Sequence, residues 1–154
     1  MADSFEALVG ALGEAVGVPL QVAGDGIAEV AVGERMVCLK AAGQGVRLFT
    51  TVETTTAGEE ACLTPEALGR ALDFNLFAER TAGFVIGRFA QTLLLSGELP
   101  LAQTDAERLA EQLLLLARVA DEAEAEIFGT GRAAASPEAP SEAPSPAWTG
   151  AIRV

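Results

Sequence analysis

Apolar residues near the N-terminus recur at helical spacing and predict an amphipathic first helix. Asp3 can cap this helix, and Glu6 three residues later completes a capping box. Gly17 and Pro19 follow the pattern and indicate where the helix ends. We expect the apolar stripe to face the core, and it consists of Phe5, Leu8, Val9, Leu12 and Val16.

An antiparallel meander is predicted next, from short strand-like runs separated by glycine-containing turns. The runs are residues 20–23, 27–32, 35–41 and 46–52. Both faces of this sheet carry apolar side chains, with Val37 and Leu39 on one side and Met36 and Cys38 on the other. A soluble antiparallel sheet normally keeps one face polar. The pattern therefore leaves room for something else to cover the second face.

A second helix is predicted after a polar loop at residues 53–63. Thr64 is a good N-cap, Pro65 suits the first turn, and the carboxylate of Glu66 lies near the positive end of the helix dipole. Gly69 lies inside the helix. A close helix–helix crossing and the absence of any special role are both open readings of this glycine.

The apolar residues of this second helix point in more than one direction. One face holds Leu68, Leu72, Asn75 and Leu76, while Phe74 and Phe77 point elsewhere. A helix this short cannot bury two apolar faces inside one small domain. We expect one face to meet a partner subunit, and a fully buried core helix is the alternative.

Two further strands and a long helix complete the pattern. Residues 84–89 and 92–96 read as strands, and Thr104 with Glu107 forms a capping box at the start of the last helix. The wide apolar surface of that helix predicts that it lies flat on a sheet. The whole chain predicts an α+β fold, an antiparallel twisted sheet of about five strands with three helices in the order α-β-β-β-α-β-β-α.

The composition changes near residue 129, beyond which Ala, Ser, Pro and Glu dominate. A segment of this kind buries too little apolar surface to order itself, so we expect a domain at residues 1–128 and a disordered tail at residues 129–154. Trp148 is the sole tryptophan and lies in this tail. A short docking motif around it is the alternative to a tail without a role.

The charge excludes several classes of partner. Asp and Glu number 22 against 10 Lys and Arg, a formal net charge of −12. Nucleic-acid binding and anionic membrane surfaces need a basic face, so neither is expected. No apolar run reaches the roughly 18 residues of a membrane span, and the N-terminus lacks a signal-peptide pattern, so we expect a cytoplasmic protein. An acidic surface suits solubility, or capture of a basic or unfolded segment.

Candidate catalytic chemistry is sparse. The chain has no histidine, which removes the usual general base and the usual zinc ligand. Cys38 and Cys62 are far apart and form no Cys-x-x-Cys pair. Adjacent acids such as Glu59 and Glu60 are most simply solvated charges. We therefore predict no catalytic residue, no cofactor and no metal.

One segment carries a resemblance to a known family. L-x-x-x-L-x-x-N-L-x-x-x-x-T-x-G leads on to L-x-x-x-L-P-L, and with the element order and acidic charge it resembles the class I type III secretion chaperones, the Tir chaperone family. The resemblance covers roughly residues 4–128. Phe74 departs from it, because the family usually has a small residue there. The most specific part of the resemblance is at Leu72, Asn75, Leu76, Thr81, Gly83, Leu95, Leu99, Pro100 and Leu101.

The resemblance implies a homodimeric, ATP-independent, non-enzymatic chaperone of the bacterial cytoplasm. Such a chaperone holds the N-terminal segment of a secreted effector in extended form, and the secretion ATPase or sorting platform is a further partner that it implies. Two rival readings remain open. One is a dimeric α+β module that binds a small ligand or acts as an adaptor, and the other is an enzyme that uses a carboxylate or Cys62.

Two sets of residues are the expected contact sites. We predict that the dimer forms through the second helix and the start of the following strand, at Leu68, Leu72, Asn75, Leu76, Phe77 and Phe84. The expected effector contacts on the first helix and the sheet are Phe5, Leu8, Leu12, Ile27, Val30 and Met36. Some members of this second set must belong to the core, and sequence alone does not sort them.

Overall fold

The structure is a computed structural model that describes residues 4–53 and 63–129. It consists of a five-stranded antiparallel sheet with helices on one side. The strands lie in the order β1-β2-β3-β5-β4, which confirms the predicted α+β class. The elements are α1 Phe5–Val16, β1 Ile27–Val32, β2 Arg35–Ala42, β3 Gly45–Val52, α2 Pro65–Asn75, α3 Ala78–Thr81, β4 Val85–Phe89, β5 Thr92–Pro100 and α4 Ala106–Phe128, with a 3₁₀ turn at Leu101–Gln103.

Several predictions fall on residues outside the described ranges. The expected tail lies there except for Gly129, and so do Trp148, Cys62 and the Glu59–Glu60 pair. Asp3, the predicted first cap, also lies outside, and the observed N-cap of α1 is Ser4, whose Oγ accepts a hydrogen bond from the Ala7 amide at 3.2 Å. Gly17 ends α1 with a left-handed backbone, as expected.

The predicted strand at residues 20–23 is wrong. The Gly26 amide donates to the Ala23 carbonyl at 2.9 Å, and the Ala23 amide donates to Ile27 at 2.8 Å. These bonds make a tight turn rather than a ladder, because Pro19 and the Gly24–Gly26 segment leave too short a run to pair.

The predicted capping box of the last helix is also wrong. Its N-cap is Asp105, whereas the Thr104 hydroxyl is buried and donates to the Pro100 carbonyl.

Side chains from α1, α4 and one face of the sheet form the core. α4 packs across β1, β2, β3 and β5, as its wide apolar surface predicts, and α1 packs on α4. Thr50 is buried within β3, where its hydroxyl donates to the Met36 carbonyl at 2.8 Å. The largest fully buried side chains are Phe74, Leu8, Leu12, Leu39, Leu48, Leu93, Leu95, Leu109, Leu113, Leu116, Ile127 and Val9.

A charged cluster ties the strands to α4. The Arg35 guanidinium donates to Asp121 at 2.7 Å, to Glu124 at 2.5 Å and to the Thr51 carbonyl at 2.7 Å. Burial opposes the charge of Arg35, but the hydrogen bonds to the two carboxylates outweigh it and raise the pKa of Arg35 above its ordinary value. The first residue of β2 is therefore held to both α4 and β3.

Candidate interaction surfaces

One apolar face of α2 is not covered by the described part of the chain. The exposed fractions are 69% for Leu72, 73% for Leu76 and 58% for Phe77, whereas Leu68 is half-buried. We call these four residues the α2 face. Monomeric proteins seldom expose large apolar side chains in such a cluster. The α2 face is therefore a candidate interface.

The opposite face of α2 explains why these leucines point outward. Ala67, Ala71 and Phe74 are buried, and α2 packs against α4 and β4. The Arg80 guanidinium lies 5.1 Å from the centre of the Phe74 ring and also pairs with Glu126 on α4. The bulky Phe74, which departs from the family pattern, thus fills the core rather than the α2 face.

Asn75 ends α2 and attaches it to the sheet. Its Nδ2 donates to the Ile86 carbonyl, and its Oδ1 accepts from the Ile86 amide, both at 2.8 Å. These bonds join the last residue of the helix to β4. They also explain why the predicted second helix is interrupted, since the chain turns at Leu76 and Phe77 before α3 begins.

The sheet face opposite α1 and α4 is a second surface on which no described helix packs, and we call it the open face. It is defined by alternation, because neighbouring residues on each strand point into the core. One row across it pairs Cys38 with Phe49, Phe49 with Ser96, and Ser96 with Val85. Its apolar members are Ile27, Met36, Cys38, Phe49, Leu94, Val85 and Phe89.

Cys38 has an altered acidity on this open face. Burial raises the pKa of its thiol, and the nearby carboxylates of Glu29 and Asp25 raise it further. A raised pKa means less thiolate, the reactive form, at neutral pH. Cys38 therefore behaves as a small apolar side chain rather than as a nucleophile.

The edge of the sheet at β1 has unused backbone groups. The Ile27 amide donates to the Asp25 carboxylate, and the Ile27 carbonyl accepts from Ala23, so both groups of Ile27 point away from β2. The register of β1 and β2 is continuous, so Glu29 and Ala31 point the same way. No described residue bonds to their amides or carbonyls at this edge. An incoming strand finds two residues ready to pair.

The structure places the predicted effector contacts in two groups. Phe5, Leu8, Leu12 and Val30 are buried in the core, so the expectation that they are presented at the surface does not hold for this chain. These residues belong to the stripes of α1 and β1 that face α4, and burial is what such stripes require. Ile27 is half-buried and Met36 is 42% exposed, and both lie on the open face.

Among the predicted dimer residues, Leu72, Leu76 and Phe77 are exposed and Leu68 is half-buried. Asn75 is half-buried, and its polar groups bond to Ile86. Phe84 is buried inside the protomer rather than displayed, because its ring covers Gly97, where an added Cβ would lie only 2.4 Å from the ring.

Sequence reasoning missed Val85 and Phe89, which are 57% and 71% exposed on the open face of β4. The signal was present in the alternation around Ile86, since a strand with apolar residues on both sides predicts two contact surfaces.

No described cluster of side chains suggests bound small molecules or metals. A depression of about 510 Å³ lies beside the β2–β3 turn. Its Arg47 and Glu98 side chains pair with each other at 3.3 Å instead of converging on a ligand. Within residues 4–53 and 63–129 no group of acidic or cysteine side chains is arranged to hold a metal ion. Nor does that part of the chain contain a helix long and apolar enough to cross a membrane.

Solved structures of similar shape include several complexes of two proteins. The ExsC–ExsE complex matches with a TM-score of 0.63 and 17% identity, over 80% of this chain and 95% of that chain. The ExoT–SpcS complex from Pseudomonas aeruginosa matches with a TM-score of 0.56 and 22% identity, over 79% and 98% of the two chains. The Yersinia pestis type III secretion chaperone SycH, in complex with a fragment of YscM2, matches with a TM-score of 0.55 and 17% identity, over 80% and 99%.

At these identities the structural matches establish the shared fold. A search of the curated proteins gives no match. The model of the Tir chaperone protein (CesT) family matches residues 7–124, from α1 through most of α4. The chain therefore belongs to the Tir chaperone protein (CesT) family of type III secretion chaperones.

Proposed function

We propose that this protein is a cytoplasmic, non-enzymatic chaperone that binds the N-terminal segment of a secreted effector as a homodimer, without ATP. The observation that carries the proposal is the family match over residues 7–124. The neighbouring structures of the same fold include the HopA1–SchA chaperone–effector complex and a type III secretion chaperone bound to a fragment of a second protein. The loaded dimer would then deliver the effector to the secretion ATPase or sorting platform.

The α2 face is the proposed dimer interface. A two-fold axis brings the same patch of each subunit together, so Leu72, Leu76 and Phe77 would meet their own copies. Burial of exposed leucine and phenylalanine side chains stabilises such a contact by roughly 1.5–3 kcal/mol per side chain. α2 packs on β4, whose exposed Val85 and Phe89 lie on the open face rather than on the α2 face.

The β1 edge and the neighbouring part of the open face are the proposed effector site. An extended segment gains backbone hydrogen bonds from Glu29 and Ala31, while alternate side chains reach Ile27 and Met36. Asp25 and Glu29 place carboxylates beside this edge. The segment that fits is therefore extended, has apolar residues at alternate positions and carries basic residues near them.

Co-expression with the product of a neighbouring gene, followed by co-purification, tests the function. We expect a stable complex that contains two copies of this chain and needs no nucleotide. An Ala31→Pro variant removes an edge amide without touching the β1–β2 ladder, and proline is tolerated on edge strands. It should weaken effector capture about tenfold or more, because hydrogen bonds and close approach are lost together.

Arg88→Pro is the matched control, since the exposed Arg88 lies on β4 at the far edge of the sheet. It should retain the effector, and both variants should keep the melting temperature of the parent within a few degrees. Capture lost equally in both variants would show that β1 is not the site. If none of the proteins encoded by the neighbouring genes co-purifies with this chain, the proposed function is overturned.

A further inference from the structure

Asn75 imitates one residue of a β-strand. In an antiparallel ladder two opposed residues exchange an N–H···O bond in each direction. The side-chain amide of Asn75 makes the same exchange with Ile86, since Nδ2 donates to the carbonyl and Oδ1 accepts from the amide, each at 2.8 Å. A side-chain amide offers a donor and an acceptor side by side, which leucine or alanine at this position would not.

These bonds occur at the outer edge of β4, the last strand beyond β5. Because both backbone groups of Ile86 point to Asn75, those of Val85 and Gly87 point toward β5. Just before the strand, the Phe84 amide donates to the Thr81 carbonyl at 2.9 Å. Of the outward-pointing β4 residues, only Arg88 is then left without a described backbone partner at this edge.

The two edges of the sheet thus differ in their readiness to pair. At β1 the groups of Glu29 and Ala31 have no described partner on the outer side, whereas at β4 the chain's own side chain occupies the middle of the edge. Open edges attract other strands and cause unwanted association, so proteins cover them. At β4 the Asn75 side chain and the end of α2 lie against part of the edge.

We propose that Asn75 is a positioning residue that closes the β4 edge to strand addition and leaves β1 as the edge that accepts an incoming segment. The closure follows from the fold alone, and only the choice of β1 by the effector rests on the proposed function. The same bonds hold the end of α2 against β4, so the closed edge and the orientation of the α2 face depend on one residue.

Asn75→Ala in the full chain tests the closure. We expect the Ile86 amide to exchange about tenfold faster with solvent, as loss of one ordinary hydrogen bond predicts. We also expect concentration-dependent assemblies heavier than the parent in sedimentation velocity. The double variant Asn75→Ala/Arg88→Pro should return to the parent mass, because the proline again blocks β4.

These measurements separate closure from simple destabilisation. Misfolding would not be repaired by a proline, so association that persists in the double variant overturns the proposal. Parent mass with unchanged Ile86 exchange in Asn75→Ala overturns it too. Asp73→Ala, an exposed change on the same helix, is the matched control and should change neither measurement.

The unmodified protein supplies an independent test of edge choice if Asn75→Ala does not fold. In hydrogen exchange of the free and effector-loaded protein, the amides of Glu29 and Ala31 should become protected on loading, while that of Arg88 should not. Protection at Arg88 without protection at Ala31 overturns the edge assignment. Failure to capture any effector would instead count against the proposed function and leave the mass experiments unaffected.

Discussion

Residues on the open face have both apolar and charged neighbours, and Cys38 shows this most directly. It pairs across the strands with Phe49 on one side and Glu29 on the other, so an apolar ring and a carboxylate flank the same thiol. The thiol is half-buried and its pKa is raised. A partner bound on this face would shield it further.

The pH dependence of Cys38 alkylation follows from these causes. Burial and the carboxylates disfavour the thiolate, so the pKa is higher in the folded state and the midpoint of the rate profile lies at higher pH than in denaturant. In a Cys62→Ser background, iodoacetamide should therefore react with a midpoint above that of the unfolded chain. Glu29→Gln should move the midpoint down, because one repelling charge is gone. A folded midpoint equal to or below the unfolded one would contradict the assignment.

At the scale of elements, α2 carries both the internal packing and the proposed contact. Its buried face is small, Ala67 and Ala71 flanking Phe74, and its outer face is large and apolar. Gly69 is exposed and shares the outer face with Leu72 and Leu76, at spacings of three and seven residues. An added Cβ at Gly69 would meet nothing within 4 Å inside the protomer. Of the two interpretations of Gly69, a close helix crossing is therefore the one that makes a specific prediction about the dimer.

Gly69→Ala separates these readings. Alanine should stabilise the protomer by about 1 kcal/mol through helix propensity, whereas a methyl group between two crossing helices should weaken dimerisation by about 1–3 kcal/mol. We expect sedimentation equilibrium to show a dimer for the parent and a dissociation constant roughly 5- to 150-fold higher for the variant. Gly10→Ala in α1, also with open space around it, is the matched control and should leave the dimer unchanged. If the parent stays monomeric, or if the variant dimerises with unchanged affinity, α2 does not form the interface.

For the molecule as a whole, the cluster around Arg35 joins the β2–β3 sheet to α4. The side chains of Arg35 and Glu124 are each only 15% exposed, so their hydrogen bonds are poorly screened by water. The Arg47–Glu98 pair on the open face has side chains that are 56% and 50% exposed. The two pairs differ in burial and therefore in their expected contribution to stability.

A double-mutant cycle compares the two pairs. Arg35→Met leaves Glu124 with an uncompensated charge and should lower the free energy of unfolding by about 2–4 kcal/mol, with a coupling of at least about 1 kcal/mol when Glu124→Gln is added. Arg47→Met should cost no more than about 1 kcal/mol. Urea unfolding monitored by circular dichroism measures both. Equal effects of the two arginine changes would show that burial does not set the contribution of the cluster.

The sequence by itself determined the elements that have a strong periodicity, although the N-caps of α1 and α4 are Ser4 and Asp105 rather than the predicted residues. The α1 and α4 stripes, the Thr64–Pro65 helix start, the strands with glycine turns and the class of the sheet were all predicted, and the family resemblance is confirmed. These features depend on local spacing and on residue types that have strong backbone preferences. The same local information failed at residues 20–23, where a strand-like run has no strand to pair with.

Only the tertiary structure decided which apolar residues are buried and which are displayed. Phe5, Leu8, Leu12 and Phe84 have the same chemistry as the exposed Leu72, Leu76 and Phe89, and they differ in whether α4 or a facing glycine lies over them. The role of Asn75 could not be predicted from its own segment either. Its partner Ile86 is eleven residues away and lies opposite Asn75 only when α2 packs on β4. Burial and edge pairing are relations between distant segments, and a pattern along one segment contains no information about what the other segments cover.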